Sequence, residues 1–281
     1  MDIDFAKKLF SVPTCSKHEE LMVDFLESYA IDNNIPYKID DFGNIYLIKG
    51  EITEDDRVPC VVAHIDSVHT SQIPLIEYNE RLIITEEKVL NKTILRAYNP
   101  HLIDTIDKAK TGLAGDDSAG ILICLELLNK FDKIIAAFFR EEEIGCHGSA
   151  NSDADIFKNV GYAIQFDAPG NNWVSKTCNG VQLFNEEFFN EIKDILKDFG
   201  QTKISNDPYT DVYKLKELYD FNCINFFAGY YNMHSDDEYV VVEDMEKAVL
   251  MGEEIIKKLG NKKYELIHKP FDWTKRWRQE Y

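Results

Sequence analysis

AGDDSAGILICLELLNKFDKIIAAFFREEEIG, residues 114–145, reads as a paired carboxylate, a helix over residues 119–130, a buried strand in KIIAAFF and a run of three glutamates. The apolar run is too continuous for a strand with one wet face, so it belongs inside a sheet covered on both sides. Outward from it the same grammar recurs. PCVVAH and VGYAIQF are further apolar runs of buried-strand type, CINFFAG is another, and helices fall between them in NEEFFNEIKDILKDFG and VEDMEKAVLMGEEIIKKLG, closed by Gly200 and Gly260. Alternation of strand and helix from residue 113 onward predicts an α/β fold with a mixed, mostly parallel central sheet and helices on both faces.

Before this region, KHEELMVDFLESYA places Leu21, Phe25, Leu26 and Tyr29 on one helical stripe, with Ser16 and Glu19 spaced as a capping box. IPYKID and GNIYLIKG alternate as strands around a turn at Asp41 to Gly43. Residues 70–112 hold short strand-like pieces, IPLIEY, RLIIT and TILRAY, and are expected to form an excursion of hairpins. Residues 1–260 are read as one domain. The tail, residues 261–281 with Trp273 and Trp277, is expected to pack back on the body.

The 281 residues carry a formal charge of -19 with 44% hydrophobic and 29% charged residues, an ordinary globular composition. Without a compact basic run, that charge disfavours nucleic acid and anionic membrane as partners. Carboxylates in clusters attract divalent cations and can receive an ammonium group. Six cysteines, Cys15, Cys60, Cys124, Cys146, Cys178 and Cys223, form no CxxC pair, so reduced thiols are expected. The N-terminus MDIDFAKKLF lacks the pattern of a signal peptide and no apolar run is long enough to span a bilayer, which predicts a cytoplasmic protein.

Chemistry concentrates in five short stretches beside strand-like runs: His64 and Asp66 in VVAHIDS, Asp116 and Asp117 in AGDDSAG, Glu141 to Glu143 in FFREEEIG, Asp167 in AIQFDAPG, and His234 in YNMHSDDEYV. Sites in open α/β sheets form outside the carboxyl ends of strands, so these stretches can converge. Imidazole with carboxylate suits Zn, Mn or Co better than the all-oxygen sites of Ca or Mg. One residue apart, Asp66 can receive the second N–H of His64 and improve it as a ligand. Asp116 and Asp117 can cap a helix or bridge two cations. Three adjacent glutamates repel one another unless water or a cation intervenes, and one can bind metal while its neighbour acts as base. His69 and His147 are spare ligands, supporting groups or plain loop residues. Cys146 and Cys178 lack a defined base partner, and Ser118 lacks a G-x-S-x-G setting, so neither a thiol nor a serine nucleophile is expected.

Taken in order, H-x-D, G-D-D-x-x-G, E-E-x-G, a strand-end D and H-S-x-x-E-Y-V resemble the di-zinc exopeptidase superfamily that includes peptidase T and the leucyl and glutamyl aminopeptidases, over residues 10–260. The resemblance implies a zinc-exopeptidase (phosphorylase/hydrolase-like) architecture and two divalent metal ions, zinc first, with manganese or cobalt able to take the same pair. His64 and Asp167 would bind one ion, Glu143 and His234 the other, and Asp116 would bridge them. Asp66 would orient His64, Glu142 would be the general base, and the peptide between Asp116 and Asp117 would be cis. The implied activity is an aminopeptidase acting on a peptide. An N-acyl amino-acid amidohydrolase or a carboxypeptidase on the same core, and a non-catalytic binding protein keeping the fold, are the alternatives; homo-oligomers are compatible with all of them. Fuller members insert a lid or dimerisation domain between the residues matching Asp167 and His234. Here that gap reads as one helix, a Thr210-Asp211 turn and one strand, with pocket candidates in residues 171–182 and 205–213.

Overall fold

The computed structural model describes residues 1–102, 109–201, 203–207, 209–262 and 264. The chain opens with α1 (Ile3–Phe10) and α2 (Glu20–Asp32), then β1 (Tyr37–Ile39), β2 (Ile45–Lys49) and β3 (Val58–His64). The excursion contributes α3 (Ile73–Glu77), β4 (Ile83–Val89), β5 (Lys92–Tyr98) and β6 (Lys110–Thr111). Next come α4 (Gly115–Lys130), β7 (Ile134–Phe139), α5 (His147–Ala150), α6 (Ala154–Phe157) and β8 (Val160–Phe166). The remainder runs β9 (Trp173–Cys178), β10 (Val181–Gln182), α7 (Glu186–Asp198), β11 (Lys203–Asp207), α8 (Asp211–Tyr219), β12 (Asn222–Phe226), β13 (Tyr230–Tyr231), β14 (Tyr239–Val241) and α9 (Val242–Leu259).

Nine strands form the main sheet in the order β1-β2-β7-β3-β8-β12-β9-β10, with β11 on β9. The centre is parallel, β7 to β3 to β8 to β12, and the flanks at β1, β2, β9 and β10 are antiparallel. Every residue of β3, β7, β8 and β12 is buried, as parallel strands covered by helices require. Helix α4 lies against β3, β7 and β8, and α8 against β12, β3 and β8. Register sets the site: His64 pairs with Phe139, Val62 with Gln165 and Phe166 with Phe226. Arg140 to Glu143, His64 and Asp167 therefore leave the sheet side by side. A second, antiparallel sheet orders β13-β14-β5-β4 with β6 on β5, so the excursion is tied to the loop that bears His234.

Several sequence expectations are corrected. IPLIEY is the short helix α3, with Pro74 in its first turn where a missing N–H costs nothing. Ser16 and Glu19 make no capping box: the Ser16 hydroxyl donates to Asp66 and Glu19 pairs with Arg140. Tertiary partners with full charges outcompete the local cap. The buried stripe of α2 is Met22, Leu26 and Ala30, shifted from the one expected, while Phe25 and Tyr29 pack on Phe5. The gap between Asp167 and His234 holds two helices and four strands before β13, because WVSKTC and KISND are too short and polar to announce themselves as strands. At the start of the tail Tyr264 is buried against Tyr162 and Phe188; Trp273 and Trp277 lie outside the described residues.

Candidate metal centre and active site

Most of the acidic and imidazole groups reach the site because they stand at, or within four residues after, the end of a strand, while Asp116 arrives at the start of α4. His64 is the last residue of β3 and fully buried. Its Nδ1 lies 3.3 Å from Asp66 Oδ1 and 3.2 Å from the Asp66 carbonyl, which turns Nε2 toward the cleft. Asp66 does more than orient this ring. Oδ1 accepts the Glu142 N–H at 2.9 Å, and Oδ2 accepts the Glu143 N–H at 3.2 Å and the Ser16 hydroxyl at 2.6 Å. One buried carboxylate thus holds both glutamates of the loop after β7.

Asp116 and Asp117 open α4 with non-helical backbone and a cis peptide between them. Their side chains diverge. Asp117 accepts the backbone N–H of His64 at 3.2 Å and of Gly120 at 3.1 Å, so its oxygens serve the fold. Gly120 is required there, since a Cβ would stand 2.3 Å from Asp117 Oδ1 and 2.5 Å from the Phe166 carbonyl. Asp116 faces the cleft, with Oδ1 3.1 Å from His64 Nε2 and Oδ2 3.3 Å from His234 Nε2. Its own N–H donates to Glu238 Oε1 at 3.1 Å, and Glu238 Oε2 meets His69 Nε2 at 3.0 Å.

Asp167 Oδ1 lies 3.7 Å from His64 Nε2, and Glu143 Oε1 lies 3.0 Å from His234 Nε2. Glu142 Oε2 stands 4.0 Å from His64 Nε2, while Oε1 accepts the Cys146 thiol at 3.4 Å. The structure therefore brings His64, Asp66, Asp116, Glu142, Glu143, Asp167 and His234 to one place. His69 supports the site from behind through Glu238. His147 is exposed and pairs with Glu141 Oε2 at 2.9 Å, outside it. Residues without a local signature complete the surroundings: Gln165, Thr210, Asn225 and Tyr230 around Asp167, and Glu19 with Arg140 beside the glutamate loop. Apart from Gln165, which stands two residues before Asp167, they are distant in sequence from the groups they meet.

So many carboxylates in one buried place distort each other's acidity. Burial, then the charge of Asp116, pushes Asp167 up to about 8. Burial raises Glu142 well above the usual carboxylate range, and takes Asp211 up to about 7. Burial would also raise Asp116, but hydrogen bonds from His234 and His64 hold it below its ordinary value. Hydrogen bonds to Asp116 and Glu143 take His234 up to about 10. Burial would lower His64, yet Asp116, Asp167 and Asp66 together raise it. Two donor sets, His64 with Asp117 and Asp167, and His64 with Asp116 and Glu143, have ligand atoms within 4.8 Å of one another. Imidazole and carboxylate so arranged fit divalent metal.

The centre opens into a cavity of about 400 Å³ walled by Trp173, Tyr209, Tyr230 and Met233. Ser205 and Asn206 add to the lining, so both expected pocket segments contribute.

Residues 45–272 match Peptidase family M28, and the chain belongs to that family; it is a metallopeptidase. A comparison with curated protein sequences finds no match. Among solved structures it is similar to the aminopeptidase PepT of Bacillus cereus, with 12% identity, 92% of this chain and 98% of that one covered, and a TM-score of 0.72. A tripeptidase from Staphylococcus aureus is 11% identical over 91% and 96% of the two chains with a TM-score of 0.65. An aminopeptidase from the archaeon Desulfurococcus kamchatkensis is 14% identical over 92% and 95%, TM-score 0.64. At these identities the likeness is one of fold. Among the described residues no helix is long and apolar enough to cross a membrane.

Proposed function

We propose that this protein is a co-catalytic dimetal aminopeptidase in which residues 1–260 work as one catalytic unit. The observation that carries the reading is that the two oxygens of Asp116 face two different imidazoles, at 3.1 and 3.3 Å. His64 and Asp167 would hold one ion, Glu143 and His234 the other, with Asp116 shared. Zinc is the first expectation from the donor set. Divalent cations held there supply Lewis acidity, acidifying water and stabilising charge that develops on a carbonyl oxygen.

The chain's own groups do the rest. Glu142 has Oε1 engaged by the Cys146 thiol, which leaves Oε2 toward the cleft. That carboxylate takes a proton from the attacking water and delivers it to the leaving amine. Asp66 keeps Glu142 and Glu143 in place through their backbone N–H groups. The aromatic wall of Trp173, Tyr209 and Tyr230 accepts an apolar side chain beside the scissile bond.

A free N-terminal amine is favoured over an N-blocked substrate or a carboxypeptidase substrate. Among the described residues lining the cleft there is no lysine or arginine to receive a substrate carboxylate, which speaks against a carboxypeptidase substrate. Six free, buried cysteines fit a reducing compartment, and we place the protein in the cytoplasm.

Glu142→Gln tests the assignment. It should keep its full metal content and lose about 10²- to 10⁴-fold in kcat, the usual weight of a general base; an undiminished rate would remove Glu142 from that role. A panel of free and N-acetylated peptides tests the substrate end. Cleavage of the acetylated set alone would favour the amidohydrolase, and metal uptake without any cleavage would favour a binding protein.

A further inference from the structure

Asp211 is fully buried at the start of α8, and its Oδ1 accepts no hydrogen bond of ordinary geometry, with the Ser149 side chain as a polar neighbour. A carboxylate in that state is costly, and nothing in the proposed chemistry uses it. Its other oxygen, Oδ2, lies 3.4 Å from Gln165 Nε2. Gln165 is fully buried too, next to the end of β8 and two residues before Asp167. The orientation of its amide is fixed by a backbone group: the Val212 N–H, which can only donate, reaches Gln165 Oε1 at 3.0 Å. The Thr210 hydroxyl donates to the same oxygen at 2.5 Å. Both lone pairs of Oε1 are then taken, and both hydrogens of Nε2 must find acceptors on the other side.

Those acceptors are two carboxylates. Nε2 lies 3.2 Å from Asp167 Oδ2 and 3.4 Å from Asp211 Oδ2. The Thr210 hydroxyl also lies 3.2 Å from Asp167 Oδ2, but it has one hydrogen and the shorter contact to Gln165 takes it. Gln165 is therefore left to donate to Asp167 Oδ2, while Oδ1 of Asp167 faces Tyr230 and His64.

We infer that Asp211 is a positioning residue for the metal centre: by accepting one N–H of Gln165 it aims the other at Asp167 Oδ2, so that Oδ1 presents itself to the cation shared with His64. This rests on the dimetal reading above, in which Asp167 is a ligand. Groups placed behind a ligand in this way typically weigh tenfold or more in metal affinity.

The test is titration of metal-stripped protein with zinc(II) by calorimetry, repeated with cobalt(II) so that absorption bands report each site's coordination. Wild type should show two sites. Asp211→Ala, confirmed folded by circular dichroism, should weaken one of them about tenfold or more and leave the other unchanged. Asp211→Asn, whose amide oxygen accepts the same N–H, should restore the affinity. Gln165→Met should reproduce the loss, and the double variant Asp211→Ala with Gln165→Met should lose no more than either alone, as members of one network do. Wild-type affinity at both sites in Asp211→Ala overturns the inference, as does an Asp211→Asn as weak as the alanine variant, which would make charge the cause. If Asp211→Ala does not fold, Gln165→Met decides by the same criterion. A wild-type protein that takes up no cation would overturn the dimetal reading itself, and this inference with it.

Discussion

Replacing Asp66 with asparagine exchanges one oxygen for an amide nitrogen at a residue that is 1% exposed. Burial alone would raise the Asp66 carboxyl, but His64, Ser16 and the Glu142 N–H hold it below its ordinary value, so the native group is an anion accepting from all sides. In the variant one of two arrangements must be chosen. With nitrogen at the Oδ1 position, the Glu142 N–H at 2.9 Å and His64 Nδ1 at 3.3 Å both face a donor. With nitrogen at the Oδ2 position, the Ser16 hydroxyl can turn to accept and only the Glu143 N–H is stranded. The second arrangement is the cheaper, and one buried unpaired N–H costs about 1–3 kcal/mol. At about 2–4 °C per kcal/mol for chains of this order, the melting midpoint should fall by roughly 2–12 °C. Asp66→Ala strands both backbone groups and should cost about twice as much. Because Glu142 and Glu143 would shift with their backbone, turnover should fall about 100-fold in either variant, the scale of a 1 Å misplacement. Thermal unfolding followed by tryptophan fluorescence, with kcat measured on the same samples, reads both quantities. An asparagine variant with wild-type midpoint and turnover, or an alanine variant no worse than the asparagine one, would refute the clamp.

Gly112→Ala should lower the melting temperature and kcat together, because a Cβ there would sit 1.8 Å from the His69 ring and must displace the His69–Glu238 pair that receives the Asp116 N–H; overpacking of this kind costs about 1–3 kcal/mol, and a thermal melt checks it. Burial would raise Asp244, but bonds from Lys92, Tyr231 and Asn171 bring it below its ordinary value. A depressed carboxyl stabilises the fold above its unfolded pKa of about 3.9 and loses that contribution as pH falls through the folded value. Stability measured from pH 5 down to pH 2 should drop less steeply in Asp244→Asn than in wild type.

What the sequence conveyed about the site it conveyed through position. His64, Glu142, Glu143 and Asp167 each follow an apolar run, and a buried strand that ends abruptly in charge pays a desolvation cost unless that charge meets a partner or a cation. The central strands were legible for the same reason. Of the flanking strands β1 and β2 were legible, but β9 and β11 were not, because they derive their strand character from neighbours rather than from composition. Ser16 and Glu19 looked like a helix cap because spacing cannot reveal that Asp66 and Arg140 lie closer. Gln165 and Asp211 carry no motif of their own. Their meaning depends on partners brought near only by the parallel register of the sheet and the packing of α8.

His234 rides on the turn between β13 and β14, and β14 is hydrogen-bonded along β5, where Val240 faces Leu95. Arg96 donates to the Asp237 carbonyl at 3.0 Å and lies over the Tyr239 ring, and Lys110 pairs with Asp237 at 2.8 Å. The hairpins that interrupt the α/β alternation are thus a bracket for one imidazole. A shortened chain without them would keep every donor named above and still leave four of them mounted on one platform with the fifth adrift.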